Sequence, residues 1–242
     1  QQRGIAIITG GRAIDGEDQS GKAVYIVDLE SGQLIREFCN SCGNVFDTNT
    51  VAQNNDFLDC SMEGPVAAYD AFLGGVITRA FIGDSCGQMW RLDISQADPE
   101  DWRLEFFHDA FANRNLNHPH RRPLGLQPAI AVGSNPGRLV VVYGSGSPDE
   151  ALMPGRRDRV YSVSEYWNGS SFEAQINWEL ILDNREAFTS DPLIFDQAAF
   201  FTTQSATGGM CNAGLGRLWG LDYVGDDPDE IDDLVAAMDE DG

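Results

Sequence analysis

Five cysteines, at 39, 42, 60, 86 and 211, are the first residues in this chain whose spacing could do chemistry. Cys39-x-x-Cys42 admits haem attachment, zinc binding or dithiol redox chemistry. A c-type haem needs His after the second cysteine, and Gly43 stands there. A zinc ribbon needs a second close pair, but Cys60 and Cys86 lie far apart. A thioredoxin-like pair belongs on a strand-to-helix turn of an α/β chain, and no such context is visible. Structural disulfides in an exported protein remain, drawn from Cys39, Cys42, Cys60 and Cys86 with the pairing open. The odd fifth cysteine is then free or paired elsewhere.

The histidines fall in "HDAFANRNLNHPHRRP" (108–123). His118-x-His120 could ligate a metal, but Pro119 separates the two and no cysteine or acid is close, so a solvent-exposed loop is expected. The same loop carries the basic pair Arg121-Arg122. Ser145 in "GSGS" lacks the setting of a nucleophile elbow, and a Gly-rich turn after a strand explains it. With no lysine there and no helix expected to follow, phosphate binding by that turn is not supported. No catalytic residue is assigned.

The elements that must position these residues are strands. Segments 4–11, 23–29, 33–38, 65–71, 77–84, 88–94, 103–108, 128–134, 138–146, 159–166, 172–180, 192–204 and 216–223 are short and rich in β-branched and aromatic residues. Gly, Asp, Asn or Pro bound them. Many short strands with regular turn signals mean an all-β sandwich, barrel or propeller. "VITRAFIGDSCGQMWRLDIS" (76–95) is echoed by "KAVYIVDLESGQLIREF" (22–38), "RVYSVSEYWNGSSFEAQINW" (159–178) and "GRLWGLDYVGDD" (216–227). The strand-ending positions Asp28, Asp93, Ser164 and Asp222 are 65, 71 and 58 residues apart, a period that suits a four-stranded blade. The phrase is expected to span the third and fourth strands of a blade, with Asp and Gly as turn residues. The fold expected is an all-β propeller, or partial propeller, of about four blades with four-stranded antiparallel sheets. It would occupy 1–224, and an acidic amphipathic helix would occupy 225–242, with Ile231, Leu234, Val235 and Met238 on one face. Four blades form either a small ring or an arc of a larger one. The opening Gln and the lack of a secretory signal are expected of a processed piece, which favours the arc.

Composition sets the boundary conditions. With 42% hydrophobic and 10% aromatic residues the chain should fold, and no apolar run is long enough to span a membrane. The net charge of −22 repels phosphate backbones and anionic lipid, so nucleic acid is excluded as a partner.

The phrases "ITRAFIGDSCGQMWRLDIS", "LQPAIAV", "RLVVVYGSGSPDE", "RVYSV", "TSDPLIFDQAAFFTTQ" and "CNAGLGRLWGLDY" occur in an order that resembles the PilY-like family, type IV pilus tip-associated adhesins with a quinoprotein-like C-terminal β-propeller. The resemblance runs from about residue 22 to 224. It implies an exported, non-enzymatic protein of the periplasm or cell surface that acts in pilus assembly and surface adhesion. Its implied partners are pilus-tip or minor pilin proteins and a host or abiotic surface. Many family members carry a calcium loop before the "GD…GQ-W" phrase. Aligned to it, Asp70 matches the first ligand and Gly75 the turn glycine, but Phe72, Gly74 and Thr78 stand where carboxylates belong. An ordinary hairpin with Asp70 as a turn residue is the expectation, and no cofactor is assigned. A generic envelope scaffold is the first alternative, with the cysteine-rich loop 39–64 as contact region in either case. A quinoprotein dehydrogenase is the second; the best-known ones stack their quinone on a disulfide between adjacent cysteines, which this chain lacks.

Overall fold

The strand Leu139–Gly144 is buried at every position. A strand apolar on both sides needs cover on both faces of its sheet, and that requirement organises the molecule. A computed structural model describes residues 3–13, 20–39, 42, 45–46, 58–70, 75–111, 121–133, 138–146, 157–205 and 214–225. The first sheet holds β1 (Ile5–Thr9), β2 (Ala23–Asp28) and β3 (Leu34–Cys39). The second holds β5 (Val66–Asp70), β6 (Ile77–Gly83), β7 (Gln88–Asp93) and β8 (Arg103–Asp109), with the two-residue β4 (Val45–Phe46) added in parallel to β8. The third is β9 (Ala129–Val132), β10 (Leu139–Gly144), β11 (Arg159–Trp167) and β12 (Phe172–Ile181). In the fourth, β13 (Glu186–Phe188) and β14 (Leu193–Phe195) share one edge of β15 (Ala198–Ser205), and β16 (Leu215–Asp222) takes the other.

Three cores separate the four sheets in chain order. Val24, Ile26 and Phe38 meet Ile82, Trp90 and Phe106 between the first and second sheets. Phe81, Met89 and Phe107 meet Leu139, Val141 and Val163 between the second and third. Val142, Val160 and Trp178 meet Phe188, Phe201 and Leu221 between the third and fourth. Neighbouring residues on one strand, such as Phe81 and Ile82, enter different cores, as a period of two demands. Strands β1, β5, β9 and β14 lie next to one another along one side of the stack. One edge strand of each sheet on a common side, with the sheets stacked in sequence, is the arrangement of a propeller, here an open arc. The all-β expectation and the blade count are met.

Several sequence expectations are corrected in detail. The phrase 76–95 spans the second and third strands of its sheet, not the third and fourth. Its echo at 22–38 likewise covers second and third strands, whereas 159–178 covers third and fourth and 216–227 contains a last strand alone, so only the first echo is register-equivalent. The true repeat is set by β1, β5, β9 and β14, which begin at Ile5, Val66, Ala129 and Leu193, so 61, 63 and 64 residues apart. Segment 192–204 is two strands joined at Asp196 and Gln197, both with positive φ (45° and 68°). The hairpin therefore forms without the glycine that usually marks such a turn. Strands β4 and β13 are too short to show a pattern. Residues 226–242, where the helix was expected, lie outside the described residues.

The turn chemistry is as expected. The Oδ1 atoms of Asp28, Asp93 and Asp222 each accept a backbone N–H two residues on: Glu30 at 3.0 Å, Ser95 at 3.0 Å and Val224 at 2.8 Å. Hydrogen bonds from Ser31, backbone first and then hydroxyl, hold the Asp28 carboxyl below its ordinary range.

The contact between the second and third sheets contains charge as well as oil. Glu165 on β11 has a fully buried side chain, and it accepts from Arg91 Nε at 2.7 Å, from Arg79 and from the backbone N–H of Leu139 at 3.2 Å. Arg91 Nη1 donates to both Asp93 and Glu105, at 3.1 and 2.9 Å, and the guanidinium lies 4.2 Å from the Phe172 ring centroid. Removing one member leaves the rest charged, dry and unmatched. Glu165→Gln is expected to cost about 3–5 kcal/mol in urea unfolding. Replacing Glu165 and Arg91 together by apolar residues should cost less than the sum of the two single changes.

Candidate functional site

After β7 the chain makes the Asp93–Ser95 turn and then a 3₁₀ turn, Pro99–Asp101, capped by the Asp98 carboxylate on Glu100 N–H at 3.0 Å. Trp102 donates its indole N–H to Gln96 O at 2.8 Å, which folds segment 94–102 back on itself. Arg36 of β3 reaches across to the Glu100 carboxylate and backbone carbonyl, which ties this wall to the first sheet. Between wall and sheet lies a groove of about 550 Å³. Ile5, Ile35, Ile77, Ile94 and Trp102 form its floor and sides, with Arg3 and Gln96 as polar groups. Its volume falls in the range of ligand sites. Among the described residues its lining has no carboxylate, imidazole or thiol, and its walls can hold an apolar group beside the polar Arg3, Ser95 and Gln96.

A cluster of titratable side chains lies elsewhere and is largely buried. His108 on β8 shares a hydrogen bond with the Tyr143 hydroxyl. Tyr143 stacks on Tyr161 at 5.7 Å, and the Tyr161 hydroxyl lies 2.7 Å from Glu179 Oε1, which also accepts from Arg159 at 2.6 Å. Burial pushes His108 down to about 4 and raises both tyrosines. At neutral pH the imidazole is uncharged and the hydroxyls keep their protons, which is a packing state and not that of a general base near pH 7.

At the opposite ends of β6 and β7 from the groove, the Asp84 turn is braced from several directions. Asp84 Oδ1 accepts from Cys86 N–H and Gln88 N–H at 2.9 and 2.8 Å, and Oδ2 accepts from Trp90 Nε1 at 3.0 Å. Burial still raises its carboxyl to about 6, because three donors do not replace full hydration. Gly87 in the same turn has φ +83°, and a Cβ there would lie 2.5 Å from the Phe111 ring. Cys60–Cys86 links this turn to segment 58–62, and Cys39–Cys42 closes a short loop at the end of β3. The four candidate cysteines are thus paired, and Cys211 lies outside the described residues. Neither bridge joins adjacent cysteines, so neither offers the stacking platform of the quinoprotein reading. Glu37 gathers with Cys39 and Cys42 at metal-ligand distances, but both sulfurs are consumed in the bridge.

The remaining sequence candidates are placed as follows. Arg121 and Arg122 are buried, which corrects the solvent-exposed reading for this end of the loop. Arg121 pairs with Asp109, and Arg122 lies 3.1 Å from Asp158, whose other oxygen accepts Phe188 N–H. His118 and His120 lie outside the described residues. Ser145 is buried, and its hydroxyl accepts Arg159 N–H at 2.9 Å. Asp70 ends β5 opposite Ile77 after a register shift, and Thr78 follows in β6. Residues 71–74, including Phe72 and Gly74, are outside the described set. Sequence reasoning missed Arg91, Glu165 and the bracing of Asp84. The signal was present: Arg91 sits at the centre of a strand, between Trp90 and Leu92, and an ionised residue among inward positions needs a partner.

No family model and no curated protein matches the sequence. Among solved structures, the C-terminal domain of Pseudomonas aeruginosa PilY1 is similar, with a TM-score of 0.56 and 14% identity over 87% of this chain and 54% of that one. The chain therefore spans about half the length of that domain, and the likeness is one of fold.

Two measurements test the braced turn. Cys60→Ser with Cys86→Ser opens a loop of sequence separation 26 and should cost about 3–4 kcal/mol by the loop-entropy relation, more than opening Cys39–Cys42. The pH dependence has two opposed parts. Asp84, raised to about 6, contributes stability that is complete at low pH and lost as pH rises through 6. His108, lowered to about 4, contributes stability complete above about pH 6.5 and lost as pH falls through 4. Between pH 4 and 6, Asp84→Asn should therefore lose stability on acidification more steeply than the parent, and His108→Asn less steeply. Asp84→Asn should also be weaker overall by about 1–3 kcal/mol, because the Trp90 N–H loses its acceptor.

Proposed function

We propose that the chain is a non-enzymatic, propeller-like binding module of an exported, pilus-related protein, acting in surface adhesion and pilus biogenesis. The observation that carries this reading is the open arc of four sheets stacked in chain order, together with its likeness in fold to the PilY1 C-terminal domain. The ordered blade phrases support it from the sequence side. Two disulfides fit an extracytoplasmic location, at the cell surface or in the periplasm. Among the described residues no helix is long and apolar enough to cross a membrane. The titratable clusters support binding over catalysis, since burial holds them neutral or pairs them.

In this reading the groove beside Trp102 is a contact region, and its occupant is an apolar side chain of a pilin-like protein or of a surface ligand; most of loop 39–64, the contact region expected from the sequence, lies outside the described residues. Function would then reside in a site carried by the fold and not in the fold itself. Trp102→Ala in the parent gene should reduce surface attachment or pilus number as strongly as deletion, with the purified variant still cooperative in thermal unfolding. Attachment and piliation unchanged on deletion of the gene would overturn the reading. Loss of piliation with normal attachment per pilus would assign the module to assembly and not to adhesion.

A further inference from the structure

The hairpin that joins β11 to β12 holds the chain's single Asn-Gly pair, Asn168-Gly169. It belongs to the third sheet, which has a core on each face. Trp167 and Phe172 make the last rung of the ladder, and residues 168–171 form the turn. Asn168, Gly169 and Ser170 are exposed. The Asn168 N–H donates to Ser171 O at 3.1 Å, which closes the turn. The Asn168 side chain is held at both of its polar atoms. Oδ1 accepts from Ser170 N–H at 2.9 Å, from the Ser170 hydroxyl at 3.0 Å and from Ser171 N–H at 2.9 Å. Nδ2 donates to Ser171 Oγ at 3.2 Å and to Glu173 Oε1. Among the described residues nothing accepts the Gly169 N–H, and a Cβ at Gly169 would meet nothing within 4 Å.

We propose that Asn168 is a self-modifying site, whose amide is converted to a carboxylate by the Gly169 nitrogen with water as the other reactant. The Gly169 N–H gives its proton to water or hydroxide, and the nitrogen attacks Asn168 Cγ. The new N–Cγ bond closes a five-membered imide, the Cγ–Nδ2 bond breaks, and Nδ2 takes up a proton and leaves as ammonia. Water then opens the imide. Breaking the new bond gives aspartate, and breaking the original peptide bond gives isoaspartate. Three features of the turn favour the first step. The donors on Oδ1 lie where negative charge grows during attack. The bonds to Nδ2 hold the amide in one orientation, so fewer of its rotamers are unproductive. Gly169, with φ 104° and no side chain, leaves room for the ring.

The two products differ in what they do to the tip. Aspartate at 168 keeps the three donors, much as Asp28 holds Glu30 N–H, Ser31 N–H and the Ser31 hydroxyl in its own turn. Its second oxygen replaces Nδ2 opposite Glu173, so two like charges meet where the amide made a hydrogen bond. Isoaspartate adds a methylene to the main chain between Trp167 and Phe172, whose ring centroids lie 4.9 Å apart. Conversion thus loosens a hairpin whose Trp167 is 48% exposed.

The test is peptide mapping by mass spectrometry of the 242-residue chain, incubated folded at mildly alkaline pH beside a synthetic peptide of residues 164–175. The expected result is conversion at Asn168 ahead of every other asparagine, at least as fast in the folded chain as in the peptide, with aspartate and isoaspartate both appearing. Ser170→Ala removes one donor from Oδ1 and should slow the folded chain about two- to tenfold, the worth of one hydrogen bond, without slowing the peptide. Slower conversion in the folded chain than in the peptide overturns the proposal, since the hydrogen bonds then guard the amide. So does conversion led by another asparagine, or a folded Ser170→Ala chain that converts as fast as the parent.

Discussion

A β-sheet with oil on both faces cannot exist alone in water, and this constraint governs the molecule. Strand β10 has no wet side, so the third sheet must lie between two others. The second sheet faces the same requirement on its far side, where it meets the first. Stacking in chain order follows because each new sheet is made from the next stretch of sequence and joins the apolar face just laid down. The hydrophobic term scales with area and does not discriminate between partners. What fixes the geometry is close approach. At Gly144 a Cβ would fall 2.4 Å from the Phe188 ring, so the third and fourth sheets meet where the third has no side chain.

Polar groups inside the stack act as registration pins. Glu165 accepts from two arginines of the second sheet, and Asp158 takes Arg122 on one oxygen and Phe188 N–H on the other. Each can be satisfied in one relative placement of neighbouring sheets, whereas the oily contacts around them would tolerate sliding. The Asp84 carboxylate does the same within one turn, and its partial loss of ionisation reflects how dry that turn is. The sealed His108–Tyr143–Tyr161 cluster belongs with these pins.

Much of the fold was legible because alternation and turn chemistry are local. Asp28, Asp93 and Asp222 announce the ends of their strands, and their carboxylates make the turn contacts that such residues make. The blade period was legible too, although it was counted from aspartates that close different strands of their sheets. What was not legible depended on long-range pairing. Strand β4 has two residues and exists because β8, far along the chain, offers an edge. The Asp196–Gln197 hairpin lacks the glycine that would have announced it. For the site, the pairing of Cys60 with Cys86 and the burial of Arg121 and Arg122 needed the sheets in place. The groove is a product of two sheets and a folded-back segment, which no single stretch of sequence contains.

The Cys60–Cys86 bridge has a mechanical consequence. Strands β5 and β6 both lie between its two cysteines. Tension drawn along the backbone from either terminus would bypass them through the sulfur link, since a covalent bond outlasts any hydrogen-bonded ladder. Under traction the bridge withholds 26 residues from extension, on the order of 90 Å of contour length. Two strands of the second sheet are thereby shielded from a pull that reaches the rest of the chain.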